Sequence, residues 1–335
     1  MTRFKSLIPG LIFAIVLACV ATILGNLVPI IGSSVFGIVL GIIISSIFGK
    51  PESTAQGLRF ASKKILQWSI IALGGGLSLT QVYKTGLSSL YVMIFTLSAA
   101  FISAYGFGKL MKIPLKLTSL IGMGTAICGG SAIAAISPII EAEDEDISYA
   151  ISTIFMFNVM AVLIFPPIGH FLGFSDNAFG LWAGTAINDT SSVVAAGYAY
   201  SNAAGAYATI VKLTRTTMII PISLIFAVVV YFNKRREYNK DSKVNYSMKK
   251  IFPWFIIGFL LTSLLNTVGI INVQAAGIFT EIGKFFIVVA LSAIGLNSNL
   301  KQMVKTGFKP MLLGFIVWGS VTAVSLIVQF TAGQI

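Results

Sequence analysis

The stretch Gly124-Thr-Ala-Ile-Cys-Gly-Gly-Ser-Ala-Ile-Ala-Ala135 reappears later in the chain as Gly184-Thr-Ala-Ile-Asn-Asp-Thr-Ser-Ser-Val-Val-Ala-Ala196. Each copy places small and polar residues inside an otherwise apolar segment. Backbone groups released from a helix at membrane depth need partners, so such interruptions persist only where protein or a watery cavity surrounds them. Matching interruptions in two segments point to the binding site of a secondary transporter. The duplication therefore predicts two interrupted helices that build one site.

The composition around these two copies is that of an integral membrane protein. The 335-residue chain is 56% hydrophobic and 10% charged, with a mean hydropathy of +0.91, whereas soluble domains carry about 25% charged residues. Apolar runs long enough to cross about 30 Å of hydrocarbon cover nearly its whole length. The eleven runs are 8–31, 33–49, 60–82, 86–111, 117–141, 147–172, 178–200, 205–232, 250–270, 275–299 and 306–333.

These runs predict an all-α polytopic membrane protein with about 9–11 transmembrane helices, inverted repeats and two interrupted or re-entrant helices. We expect residues 1–335 to form a single transmembrane transporter domain, with a candidate core at 117–232 and scaffold segments from 8–111 and 250–333. A second repeated sequence, Lys84-Thr-Gly86 and Lys305-Thr-Gly307, supports the inverted repeat. The positions of the basic clusters predict that the segments beside these two sequences cross the membrane in opposite directions. The segments 117–141 and 178–200 either cross fully in the same direction or enter as hairpins from opposite sides.

The net charge of +12 is carried mainly by basic residues that cluster between the apolar runs, so it does not indicate a nucleic-acid partner. Excess Lys and Arg marks cytoplasmic loops, so we expect a cytoplasmic N-terminus and a C-terminus on the outside. Nineteen of the 23 basic residues fall in five clusters, at Arg3/Lys5, Lys50–Lys64, Lys109–Lys116, Lys234–Lys250 and Lys301–Lys309.

The two interruptions supply most of the candidate substrate-binding residues. Serine, threonine, asparagine and aspartate suit the start of a helix, and two half-helix N-termini that meet would surround an anion with donors and partial positive charge. The alternative is that the glycines allow tight helix packing and the hydroxyls satisfy the backbone. The candidates here are Cys128, Gly129, Gly130, Ser131, Asn188, Asp189, Thr190, Ser191 and Ser192.

Three charged residues lie within apolar runs close to these interruptions. Asp189 is the only carboxylate near the middle of any run, and a charge there usually faces a cavity and is functional. Lys212 and Arg215 lie three positions apart on one helix face. The guanidinium group suits bidentate binding of an oxyanion, and lysine adds a point charge. The alternatives are an ion pair with Asp189 or a position at the outer interface.

Other chemistries find little support in the sequence. His170 is the sole histidine and the two cysteines show no metal-ligand spacing, so no metal or other cofactor is expected. No nucleotide-binding loop is present, and Cys128 lacks a candidate base, so we expect no enzyme activity.

The interruption motifs, together with Lys212-Leu-Thr-Arg215 and Ala293-Ile-Gly-Leu296, resemble the bacterial sulfate exporter family over essentially the full chain. The resemblance implies an inner-membrane transporter of a superfamily that includes cation/proton antiporters, built from inverted repeats with interrupted helices. It also implies a histidine before the aspartate of the second motif. Asn188 stands there instead, which removes one candidate titrating partner.

We therefore expect a secondary active transporter that exports a small anion, such as sulfate or an organosulfonate. The expected partners are this anion, the lipid bilayer and a coupling proton or Na⁺, and a homodimer is a possible assembly. Asp189 is the expected coupling residue, with access alternating around the two interrupted helices. The alternative is a monovalent cation/proton antiporter in which Asp189 binds the ion.

Overall fold

The computed structural model describes residues 6–28, 33–49, 51–237, 254–298 and 307–335, and all regular structure in these residues is helical. The protein is an all-α polytopic membrane protein, as predicted. Two shorter apolar helices lie at Ser33–Phe48 and Phe255–Thr267. Six helices are long and apolar enough to cross a membrane: Ile8–Leu27, Leu79–Leu110, Glu145–Phe171, Asn202–Val230, Val273–Asn297 and Phe308–Thr331.

The first part of the chain forms α1 (Ile8–Leu27), α2 (Ser33–Phe48), α3 (Ala55–Phe60), α4 (Leu66–Gly74) and α5 (Leu79–Leu110). A π-helical segment, residues 61–65, joins α3 to α4 as one continuous pass. This pass begins and ends earlier than the predicted run 60–82. Three consecutive glycines follow Leu73, and Ser78 starts the next helix by accepting a 3.2 Å hydrogen bond from the Gln81 N–H.

The first interrupted segment is a hairpin that enters and leaves at the same end of the molecule. Its arms are α6 (Leu115–Ala126) and α7 (Gly130–Ile136). The Lys116 ammonium, in the first turn of α6, donates to the Glu141 carbonyl at 2.7 Å just after α7. Because the two open ends of the arms touch, this segment does not cross the membrane.

The second interrupted segment is also a hairpin, with arms α9 (Asp176–Ala186) and α10 (Thr190–Tyr200). The Ser201 hydroxyl donates to Asp176 at 2.5 Å, which joins its two open ends. Helix α8 (Asp144–Phe171) separates the two hairpins and is about 42 Å long at 1.5 Å per residue. The hairpins therefore open at opposite ends of the molecule, as the re-entrant alternative predicts.

The remaining helices are α11 (Asn202–Thr217), α12 (Ile219–Glu237), α13 (Phe255–Thr267), α14 (Val273–Asn297) and α15 (Phe308–Thr331). Helices α11 and α12 follow one another with only Met218 between them and form one interrupted pass. Counting α3–α4 and α11–α12 once each, the described residues form nine helical passes and two hairpins.

The described basic clusters lie at one end of the molecule, which we call the basic end. Ser6 contacts Gln56 at 2.7 Å and Ser45 contacts the Ser298 carbonyl at 3.0 Å, so the starts of α1 and α3 meet there, as do the ends of α2 and α14. The first hairpin opens at the same end. Arg3, Lys5, Lys50, Lys301, Lys305 and the part of the Lys234–Lys250 cluster beyond 237 lie outside the described residues. The members at the basic end include Arg59, Lys63, Lys64, Lys109, Lys112, Lys116 and Lys309.

The largest buried cluster surrounds the two hairpins. Aromatic rings stack within it, with Phe165 on Trp182 at 4.0 Å and Phe157 on Trp318 at 5.3 Å between ring centroids. Residues of α5 and α15, including Ala104 and Trp318, belong to this cluster. The hairpins thus pack with α5 and α15 as well as with α8. A separate cluster joins α1, the α3–α4 pass and α14.

Candidate functional site

The two helix breaks occur at matching positions of the duplicated sequence. Helices α6 and α9 end at Ala126 and Ala186, and α7 and α10 begin at Gly130 and Thr190. Three residues separate the arms in each case, 127–129 and 187–189. At the first break the chain passes through Gly129 with φ +67°, a conformation that favours glycine.

The two breaks contact each other in the interior of the molecule. A methyl group placed on Gly129 would lie 3.5 Å from Asp189 Cβ and 3.6 Å from its Oδ1. The Asp189 N–H donates to the Asn158 side-chain oxygen of α8 at 3.0 Å. The structure therefore brings together the candidate residues of both interruptions.

Asp189 is the N-cap of α10. Its carboxylate accepts hydrogen bonds from the Ser191 N–H at 2.9 Å and from the Ser191 hydroxyl. A negative charge at a helix N-terminus is stabilised by the helix dipole. Asp189 is half-buried, whereas Thr190, Ser191 and Ser192 of the first turn are buried. Among residues 187–192, Asp189 is thus the one that is not buried.

Lys212 of α11 links the two breaks through their backbone. Its ammonium group donates to the Ile127 carbonyl at 2.6 Å and to the Ile187 carbonyl at 2.9 Å. Ile127 and Ile187 occupy the same position in the two copies of the motif. One side chain therefore bonds the equivalent carbonyl of each interrupted helix.

Arg215, one turn further along α11, bonds carbonyls one or two positions earlier in each copy. Its Nη2 donates to the Thr125 carbonyl and its Nε to the Ala126 carbonyl, both at 2.6 Å. Its Nη1 donates to the Thr185 carbonyl, and Thr185 is the counterpart of Thr125. Both hairpins are therefore bonded to the same guanidinium group.

These contacts change the roles expected for the two cations. Lys212 and Arg215 are fully buried, which excludes a place at the outer interface. Their donors bond the carbonyl ends of α6 and α9, where the helix dipole is negative and a cation is stabilising. The Nη1 and Nη2 fork expected to bind an oxyanion holds carbonyls of the hairpins instead. The described residues hold no ion pair between Asp189 and either cation.

Several polar groups beside the breaks are buried without a hydrogen-bond partner among the described residues. They include both amide atoms of Asn188, which is 1% exposed, and the Thr125 hydroxyl. Buried polar side chains are nearly always paired, so these groups are available to bond a small polar ligand. Cys128 is also buried, whereas Ser131 at the start of α7 is exposed. The candidate residues thus extend from the surface to the interior.

Asn158 and the Thr125 hydroxyl belong to this site but were not among the predicted site residues. A lone amide such as Asn158 on an apolar helix typically bonds a neighbouring helix. The Asn158 side chain bonds the backbone of the second break, which itself lies between helices. A lone amide in an apolar run was the available signal. The sequence alone does not show which neighbouring helix such an amide faces.

Two re-entrant hairpins whose breaks meet beside buried charges define a polytopic membrane protein with an internal polar site. The family model described as conserved hypothetical protein 698 matches residues 9–314, and the chain belongs to this family. It is 47% identical to a UPF0324 membrane protein of Clostridium tetani, over 97% of each chain. It is 46% identical to one of Streptococcus agalactiae serotype V, over 98% of this chain and 99% of the relative. A relative from Fusobacterium nucleatum is 44% identical, over 97% and 98% of the two chains.

Proposed function

We propose that this protein is a secondary active transporter that exports a small anion, such as sulfate or an organosulfonate, with coupling to protons or to a cation. Access alternates around the two interrupted helices, which form an inverted repeat. Broken helices near the bilayer midplane are the usual location of substrate and ion sites in such transporters. The resemblance to the sulfate exporter family supports the choice of anion.

The observation that carries this proposal is the charge balance at the breaks. Two cations, Lys212 and Arg215, are buried there and Asp189 is the carboxylate beside them. Because the described residues place two cations and one carboxylate at the breaks, with no ion pair between them, a bound anion would meet net positive charge in a medium of low dielectric constant. The amide of Asn188 and the hydroxyl groups of Thr125 and Ser131 are donors for its oxygens.

Asp189 is the proposed coupling residue. Its carboxylate caps α10 only while it is ionised, since a protonated acid is a poorer acceptor for the Ser191 N–H. Protonation would release that N–H and remove a negative charge from the site. Both changes favour an anion at the same place, so proton and anion occupancy would be linked.

The alternative function is a monovalent cation/proton antiporter. The Asp189 carboxylate and the unpartnered Asn188 oxygen are hard ligands that a small cation accepts. In this alternative Lys212 and Arg215 balance the charge of the carboxylate when the cation leaves.

Flux measurements in proteoliposomes separate the two functions. We expect radiolabelled sulfate or an organosulfonate to move in response to a pH gradient, and Asp189→Asn to remove the part driven by the gradient. Asp176→Asn is the matched control, because Asp176 accepts its hydrogen bond at the exposed end of the same hairpin. Sodium- or potassium-evoked proton movement without any anion flux would reject the anion transporter in favour of the antiporter.

Arg215→Ala is a weaker test of the site. This change removes three hydrogen bonds that hold both hairpins, so loss of flux would not distinguish loss of a binding group from loss of structure. Asp189→Asn keeps the size of the side chain and one acceptor oxygen, and therefore tests the charge.

A further inference from the structure

A polar cavity lies at the end of the molecule opposite to the basic end. Its volume is about 360 Å³, within the range of roughly 300–1,000 Å³ found for small-ligand pockets. Helices α1, α2 and α14 form one wall and the open end of the second hairpin forms the other. Its polar lining includes Asn26, Ser34, Tyr198, Asn202, Glu281 and Lys284.

An apolar layer closes the inner side of this cavity. The layer consists of Val35 and Ile38 of α2, Val194 of α10, and Ile287 and Leu291 of α14, all buried in one cluster. Ile287 also lines the cavity, so the cavity and the layer are in direct contact. The layer therefore lies where scaffold helices pack against an arm of the second hairpin.

Helix α10 connects the cavity to the site at the breaks. Asp189 caps its first turn, and Tyr198, close to its last residue, lines the cavity. Tyr198 lies nine positions after Asp189, which corresponds to about 13 Å of helix. Movement of this hairpin arm relative to α2 and α14 would change the layer, the cavity and the break together.

The cavity contains an ion pair whose members differ in exposure. Lys284 contacts Glu281 at 2.7 Å, and their side chains are 26% and 74% exposed. Lys284 also lies 5.9 Å from the centre of the Tyr198 ring. The lysine is thus the inner member of the pair. An exposed ion pair is weak, so an anion that enters the cavity can replace Glu281 as the partner of Lys284.

We propose that this cavity is the outer opening of the transport pathway, in which Lys284 binds the oxyanion and the apolar layer separates it from the site at the breaks. This inference rests on the proposed anion transport. The conformation seen here is closed at this opening. Alternating access would open the layer by moving α10 away from α2 and α14, which lets the anion pass from the region of Asp189 to Lys284.

Thiol labelling tests the cavity and the layer without any transport assay. In a Cys19→Ser background, which removes the exposed cysteine, we expect Ser34→Cys to react with a membrane-impermeant thiol reagent supplied to both faces of the membrane. We expect Val194→Cys, in the layer, to react much more slowly. Equal rates at the two positions, or no reaction at Ser34→Cys, would reject the proposal that this cavity is an opening of the pathway closed by the apolar layer.

Transport kinetics test the role of Lys284. We expect Lys284→Gln to raise KM for sulfate and Glu281→Gln to lower it, each by about 1.5- to 5-fold, the range that exposed ion pairs span. The value of kcat should stay unchanged, and Lys284→Arg should retain the original KM. Sulfate flux with an unchanged KM in both glutamine variants would reject this inference alone, whereas no oxyanion flux from the unmodified protein would reject the proposed function and the role of Lys284 with it.

Discussion

Gly129 and Asp189 occupy the same position in the two copies of the motif but contribute different properties to the site. Asp189 supplies a carboxylate, whereas Gly129 has no side chain and lies beside that carboxylate. The left-handed backbone at Gly129 also turns the chain between the two arms of the first hairpin. The sequence repeat is therefore chemically asymmetric at the point where the two breaks touch.

Replacement of Gly129 by alanine tests this asymmetry. The alanine would have to adopt φ +67°, with its methyl group 3.3 Å from Ile154 and 3.5 Å from Asp189 Cβ. We expect a loss of about 1–3 kcal/mol in stability, the range for a strained backbone conformation. Thermal denaturation of the purified protein in detergent measures this loss.

Gly130→Ala is the control for this change. Gly130 begins α7, and a methyl group there would meet no atom within 4 Å. We expect equal or slightly higher stability, because alanine favours helix more than glycine does. An equal loss in both variants would show that the effect does not arise from the conformation of Gly129.

The sequence identified the polar residues of this site better than their partners. Asp189 was singled out because a carboxylate in an apolar run is rare, and it lies where the breaks meet. Lys212 and Arg215 were placed near the breaks for the same reason. The groups that their side chains bond are backbone carbonyls, and a carbonyl is present at every residue. A carbonyl can accept such a bond where a helix ends, so the bonded residues could not be predicted from the side chains alone.

The lengths of the helices explain why the interrupted segments turn back. Helix α6 has 12 residues and α10 has 11, so each spans about 17–18 Å and reaches only part of the way across a hydrocarbon layer of about 30 Å. The predicted apolar runs that contain them were long enough for a full crossing. Hydrophobicity alone therefore left both possibilities open.

Helices α2 and α14 approach each other closely at a pair of glycines. A methyl group on Gly295 would lie 2.4 Å from the Ile38 carbonyl oxygen and 3.0 Å from the Gly41 Cα. Small residues at such crossings let membrane helices pack through their backbones. The apolar layer beneath the proposed opening involves the same two helices.

We expect Gly295→Ala to destabilise the protein by about 1–3 kcal/mol, the usual cost of overpacking, because α2 and α14 would have to separate. Gly277→Ala in the same helix is the matched control, since a methyl group there has no atom within 4 Å. Melting temperatures of the two variants give the comparison. If Gly295→Ala melts no lower than Gly277→Ala, the close contact of α2 and α14 is not a determinant of stability.

The two hairpins open at opposite ends of the molecule, with the described basic clusters at the end of the first. This arrangement follows from the length of α8 and from the contacts at the mouth of each hairpin. Applied to it, the excess of Lys and Arg in cytoplasmic loops predicts that the basic end is cytoplasmic. The cavity beside Lys284 would then open to the outside.

Labelling of single cysteines from one side of the membrane tests this orientation. In the Cys19→Ser background, we expect Asn177→Cys, at the mouth of the second hairpin, to react with an impermeant reagent added to intact cells. Lys116→Cys, at the mouth of the first, should react only in inverted vesicles. Reaction of both positions from the same side would reject the hairpin arrangement, and exchange of the two results would reverse the predicted orientation.

The amino-acid sequence by itself determined the class of protein, the position of most helices and the two breaks with Asp189. These features depend on local composition, since an apolar run must be about 20 residues long to cross a bilayer and a break needs small or polar residues. Only the tertiary structure decided that both interrupted segments are hairpins, that their breaks touch, and that Lys212 and Arg215 bond equivalent carbonyls of the two copies. The reason is that these contacts join residues far apart in the chain through backbone atoms, which every residue carries and which side-chain patterns do not distinguish.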